Sequence, residues 1–178
     1  MDLEMTGLEP HRHVIIEIAT LVTDDDLNLV AEGPDLVIHA TPAQLAEMGD
    51  FVTAMHQKSG LIEAVNRSTI DVADAETQTL DFLKGHIDLE GTVPLCGNSI
   101  GTDRRFLQEY MPTLERFFHY RNIDVSTLKE LARRWNPDVL AALGEKATTH
   151  RALDDIRESI AELAYYRDNL FSSRTSTQ

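Results

Sequence analysis

Over the first forty residues the chain alternates apolar and polar positions or runs apolar in short blocks; beyond that, apolar residues return at helical spacing. Residues 1–5 read as an N-terminal strand. Residues 13–23, rich in β-branched side chains, read as a largely buried strand. A polar turn at 24–26 leads to a hairpin partner over 27–31, and after Gly33-Pro34 a third strand runs over 35–39. The pattern then turns helical. Thr41 caps one helix with Pro42 at its first position, Asp50 caps another over 51–57, and Gly60 begins a third. A longer amphipathic helix over 72–87 carries Leu80, Leu83 and Ile87 at helical spacing. Residues 93–96 form a short strand that ends in the glycine-bearing turn 97–101. Helices begin near Thr102 and at Pro112, and a strand over 120–125 precedes a helix capped by Ser126 that holds Leu128, Leu131 and Trp135. The last long helix covers 152–170, with Ile156, Ile160, Leu163 and Tyr166 at helical spacing. Strands followed by helix–strand alternation predict one α/β domain around a mixed sheet, residues 1–171, with a disordered polar tail over 172–178.

Composition narrows the setting. The 178 residues suffice for one full hydrophobic core. No apolar run approaches the roughly 20 residues of a membrane span, and no basic-then-apolar leader opens the chain. The single cysteine, Cys96, cannot close an internal disulfide and reads as a buried thiol in a reducing compartment, so the expected location is the cytoplasm. The net charge of −14 leaves no basic stripe, which proteins that hold long nucleic acids use to neutralise phosphates. A nucleic-acid substrate would have to be short, its charge met by metals and a few arginines.

The candidate chemistry lies in acidic residues. Asp2 and Glu4 stand two apart in an extended segment, so both carboxylates leave one face while Leu3 and Met5 turn toward a core. Hard oxygen ligands grouped on one side suit Mg²⁺ or Mn²⁺. Asp103 follows the turn 97–101 at a strand-to-helix junction, beside a sheet end. His150 and Asp155 are five positions apart, about 140° around an ideal helix. His150 is therefore expected at the helix entrance and Asp155 inside, near the sheet. Asp154 projects elsewhere and reads as solvated.

Four acids with a histidine five residues before the last resemble the exonuclease superfamily with a DEDDh active site. More narrowly, Asp2-Leu3-Glu4-Met5-Thr6-Gly7-Leu8, Gly97-Asn98-Ser99-Ile100-Gly101-Thr102-Asp103-Arg104-Arg105-Phe106-Leu107, residues 120–131 and His150-Arg151-Ala152-Leu153-Asp154-Asp155 resemble the bacterial oligoribonuclease family, in order and at similar spacing. The resemblance implies an RNase H-like fold, a mixed five-stranded sheet flanked by helices. It implies 3′→5′ hydrolysis of very short RNA, dinucleotides above all, with two divalent ions (Mg²⁺ or Mn²⁺) about 3.5–4 Å apart. Asp2, Glu4, Asp103 and Asp155 would be the metal ligands, Asp2 bridging. His150 would be the general base, in keeping with the ordinary histidine pKa of about 6.5.

The resemblance also implies a pocket that limits substrate length. Leu8 would wedge between two bases, and Phe51 and His56 would line the base pocket. Many relatives carry tryptophan where this chain has Phe51. Ser99, Arg121 and Ser126 would cap a terminal 5′ phosphate, and Tyr120 would be supplied across a homodimer interface. His11, His13, His39 and His86 are expected to be exposed. One departure stands out: Met1 directly precedes the ligand Asp2, where relatives have several apolar residues. The expectation is a trimmed start or a short, poorly anchored first strand, with metal affinity at risk. Two rival readings remain at this stage. One is a broader DEDDh exonuclease that trims RNA or proofreads DNA; the other is a binding module without turnover.

Overall fold

The segment from Asp2 to Met5 forms a strand because it lies against a longer partner. In the computed structural model, which describes residues 1–144 and 150–171, β1 (Asp2–Met5) pairs antiparallel with β2 (Ile15–Thr23). The register sets Asp2 opposite Ala19, Leu3 opposite Ile18 and Glu4 opposite Glu17. It shifts between Glu4 and Met5, a bulge that ends the pairing just beyond the acidic pair. β2 pairs on its other side with β3 (Leu29–Val37), also antiparallel. The strands expected over 27–31 and 35–39 are thus one strand, running through Gly33-Pro34. Pro34 is tolerated because the β2–β3 register shifts there, leaving Gly33 and Pro34 unpaired between Glu32 and Asp35, on a strand that is also at the sheet edge.

Four helices follow: α1 (Pro42–Leu45), α2 (Asp50–Lys58), α3 (Leu61–Arg67) and α4 (Val72–Lys84). Thr41 caps α1 in a full capping box with Gln44. Asp50 is the first residue of α2 rather than its cap, which is Gly49. β4 (Pro94–Gly97) leads into α5 (Gly101–Tyr110) and α6 (Pro112–Phe117), and β5 (His119–Asp124) returns parallel to β4. α7 (Val125–Trp135) is capped by Asp124, not Ser126, because the Asp124 carboxylate already accepts the Ser126 N–H at 2.9 Å. α8 (Pro137–Ala142), absent from the sequence reading, opens on the proline after Asn136. α9 (Ala152–Leu170) has the predicted bounds. The tail expected to be disordered, 172–178, lies outside the described residues.

The strands form two sheets, β1-β2-β3 antiparallel and β4-β5 parallel, where the resemblance implied one sheet of five. The end of β1 touches β4 through the Met1 amine, which donates to the Cys96 carbonyl at 3.1 Å. Beside that bond Gly97 permits the close approach, since a Cβ there would lie 2.9 Å from the Met1 carbonyl oxygen. Further along, the sheets part around an apolar cavity of about 110 Å³ lined by residues including Val22, Leu95, Ile160 and Leu163. Asp2, at the point of contact, is thereby paired on β2 and not loosely held.

The alternation along β1 and β2 divides two packing layers. Leu3 and Ile18 join the main core with Leu83, Phe106, Leu107 and Leu114 from α4, α5 and α6. On the opposite face Ala19 packs against Ala152 and Ile156 of α9. Asp2, Glu4 and Glu17 share the face of Ala19, so the carboxylates lie between the sheet and α9.

Candidate active site

Three of the four predicted acids converge. Carboxylate oxygens of Asp2, Glu4 and Asp155 all lie within 4.8 Å of one another. β1 supplies the first two at i and i+2, and the first turns of α9 bring Asp155 over them. Asp103, buried at the start of α5, stands beside this group. Its Oδ1 accepts the Leu3 N–H at 3.0 Å, which ties α5 to the strand between the two acids. Asp154 is half-exposed and lies 3.6 Å from Arg157.

The electrostatics are those of acids crowded out of water. Burial, with Asp103 and Glu4 beside it, pushes the Asp2 carboxyl up to about 9. Burial, with Asp155 and Glu17 nearby, raises Glu4 to about 8. Burial also lifts Asp103 to about 6, against two backbone N–H bonds that lower it. A compact set of hard oxygens that repel one another is the donor set a divalent cation fits, since the cation supplies the opposite charge that the chain withholds.

His150 stands just ahead of α9 with φ at 52°, a left-handed backbone that a non-glycine residue adopts only under constraint. Near it on the fold, burial holds the His56 imidazole below the ordinary histidine value. His56 is fully buried: its Nε2 lies 3.0 Å from the Met5 carbonyl oxygen and 3.9 Å from Glu4 Oε2. Its Nδ1 meets no hydrogen-bond partner among the described residues. Leu8 and Phe51 are strongly exposed, Phe51 at 79%. Leu8 follows Gly7, where a Cβ would come 2.5 Å from the His13 ring, so the loop closes over His13 and holds Leu8 outward. His13 itself is buried and not exposed as expected, because its Nδ1 accepts the Glu9 N–H at 3.1 Å inside that loop. His11, His39 and His86 are exposed.

The turn after β4 gathers a second group. Ser99, at φ 51°, brings its Oγ 3.1 Å from Ser126 Oγ, and its N–H reaches both Asp124 and Ser126 at 3.0 Å. Arg121 and Tyr120 are exposed on β5, the guanidinium 5.0 Å from the Tyr120 ring centroid.

Three residues that the sequence reading passed over complete the surroundings. Asn98 is a hub. Its Oδ1 accepts from Ser126, and its Nδ2 donates to Ser159 Oγ (2.8 Å) and Glu162 (3.2 Å). The Ser159 hydroxyl in turn donates to the Asp155 carbonyl at 2.8 Å. Glu17 and Arg151 form a fork at the head of α9. The available signal was a lone charge inside the apolar run Ile15-Ile16-Glu17-Ile18, since such a charge is seldom buried without a partner.

The sheet-borne acids and the helix that completes them define a class. The chain matches the exonuclease family over residues 1–163 and belongs to it. It is similar to proteins named oligoribonuclease. That of Yersinia pseudotuberculosis is 58% identical over 173 residues, which are 97% of this chain and 94% of that protein. That of Salmonella typhi is 59% identical over 169 residues, 95% of this chain and 92% of that protein. Among solved structures, a moderately thermophilic exonuclease I from Methylocaldum szegediense superimposes with a TM-score of 0.60 at 18% identity. The match covers 96% of this chain and 40% of that one, a likeness of fold alone.

Proposed function

We propose that the protein is an oligoribonuclease, a 3′→5′ exoribonuclease that hydrolyses very short RNA to mononucleotides. The observation that carries this reading is the convergence of Asp2, Glu4 and Asp155 on one face of β1 with Asp103 alongside. The 58–59% identity with relatives of that name supports it. On this reading the two sheets act together as an RNase H-like platform of five strands, joined where Met1 meets Cys96.

Asp2, Glu4, Asp103 and Asp155 would hold two divalent ions, Mg²⁺ or Mn²⁺. Bound there, such ions neutralise the charge that builds on the phosphoryl group and ease deprotonation of water. His150 removes the proton from the attacking water. Leu8 enters between the two bases of a dinucleotide, and the exposed Phe51 ring offers a stacking face that is worth about 1–3 kcal/mol per base. His56 closes the pocket from below. Ser99, Ser126 and Arg121 receive the 5′ phosphate, Arg121 through charge-assisted hydrogen bonds. A closed phosphate end would let so acidic a chain bind RNA without a basic track.

The exposed side chains of Tyr120, Ile123 and Trp135 support a homodimer in which Tyr120 reaches the neighbouring subunit's site. Among the described residues no helix is long and apolar enough to cross a membrane.

The test is hydrolysis of a 5′-phosphorylated diribonucleotide against a ten-nucleotide RNA, in Mn²⁺ and in EDTA. Cleavage that needs the metal and strongly favours the dinucleotide is expected. Equal rates on both lengths would remove the length limit and point to a general exonuclease, and no cleavage in Mn²⁺ would leave a binding module.

A further inference from the structure

One carboxylate on the acidic face is not among the ligands. Glu17 lies opposite Glu4 in the β1–β2 register, so its side chain leaves the sheet toward α9 as Asp2 and Glu4 do. It is fully buried. Both of its oxygens are nevertheless engaged elsewhere. Oε1 accepts from Arg151 Nε at 2.8 Å and Nη2 at 2.5 Å, and Oε2 accepts the Ala152 N–H at 3.0 Å.

Those bonds fall on the two residues that follow His150. α9 receives no side-chain cap from its own leading residue, Arg151, so Glu17 provides that cap from the middle of β2. The Arg151 carbonyl accepts the Asp155 N–H at 3.0 Å, which closes the first turn of the helix. The left-handed backbone of His150 needs its surroundings to hold it in place, and the fork is the contact that fixes the chain immediately after it. Asp155 has further support: Ser159 bonds its carbonyl, and Ile156 and Ile160 pack α9 on Ala19 and Leu21. His150 sits ahead of all these anchors, with the fork between it and the helix.

We propose that Glu17, through Arg151 and the Ala152 N–H, is the positioning residue for His150 and not a metal ligand. The proposal rests on the reading of His150 as the base. Glu17 fixes the direction in which the chain enters α9, and hence where the imidazole stands relative to the carboxylates. Arg151 neutralises the charge of Glu17 and keeps a fifth acid out of the ligand set.

The test is a double-mutant cycle of Glu17→Gln and His150→Ala, read by kcat and KM on a 5′-phosphorylated diribonucleotide at saturating Mn²⁺. Mn²⁺ binding by calorimetry without substrate is the second readout. Glutamine keeps an acceptor for Ala152 while placing an amide against the guanidinium. Glu17→Gln is expected to lower kcat about a hundredfold, as loss of a general base does, with KM and Mn²⁺ affinity within about threefold of the parent. Combined with His150→Ala it should cost little more than His150→Ala alone, because groups that act as a unit are not additive. Losses that multiply in the double variant, or Mn²⁺ affinity that falls in step with kcat, would overturn the proposal. Should Glu17→Gln not fold, Arg151→Lys runs the same cycle, keeping the charge and losing the fork. Full activity in His150→Ala would remove the base itself, and Glu17's role with it, while leaving metal-dependent cleavage in place.

Discussion

Asp154 and Asp155 are neighbours in sequence with different surroundings. Asp155 joins Asp2 and Glu4, whereas Asp154 is half in solvent near Arg157. Asp155→Ala is expected to reduce turnover to background, and Asp154→Ala to stay within about twofold of the parent, as surface changes mostly do; steady-state rates on a diribonucleotide decide both. The spacing of Asp2 and Glu4 was enough to place them on one face, because side-chain alternation is intrinsic to a strand. Glu17 and Asn98 escaped notice for a different reason. Their roles depend on partners across the fold, such as Arg151 and Ser159, and a sequence does not state who meets whom. His13 went astray in the same way: its burial comes from the loop folding back over Gly7.

Among elements, β3 and α8 departed most from the hydrophobic pattern. Gly33-Pro34 looked like a break, and a bulge at that point on an edge strand lets the strand run through it. α8 is short and contributes no fully buried residue, so it left no periodic trace. α9 was legible along its whole length because its apolar face is covered throughout, by Ala19 and Leu21 of β2 in its first half and by Val125, Leu128 and Ala132 of α7 in its second. α4 lies on the far side of the sheet from the acids and is capped by Asp71, which accepts the Asp74 N–H at 2.8 Å. Asp71→Ala should therefore lower stability by about 1 kcal/mol in urea denaturation and leave kcat unchanged. A matching loss of activity would mean that α4 bears on the site.

At the scale of the whole molecule, the raised carboxyls link stability to pH. A carboxyl with a native pKa above its unfolded value, about 3.9 for aspartate, stabilises the fold fully below that unfolded value. The contribution is lost as pH rises through the native value. For Asp2, raised to about 9, and Glu4, raised to about 8, the metal-free protein should lose stability between about pH 4 and pH 9. Asp103, raised to about 6, adds to the lower part of that range, while Arg151 offsets the repulsion at Glu4. Mg²⁺ bound as proposed would compete with these protons, so the rise in Tm that it produces should grow over the same interval. Thermal melts with and without Mg²⁺ check this, and Asp2→Asn should flatten the metal-free slope. A metal-free Tm that climbs steadily toward pH 9 would contradict it.

Asp2, Asp103 and Asp155 come from the beginning, middle and far end of the chain, and the Leu3–Asp103 bond alone joins residues 100 apart. Contacts of such separation form late, after the intervening loops have closed. During synthesis, β1 and β2 can pair while the ribosome is still producing the rest, but the acidic group stays one member short until α9 has emerged. A nascent chain therefore lacks the full group of carboxylates while messenger and ribosomal RNA surround it, and if these acids are the hydrolytic centre proposed above, the capacity to cut RNA would arrive only with the last helix.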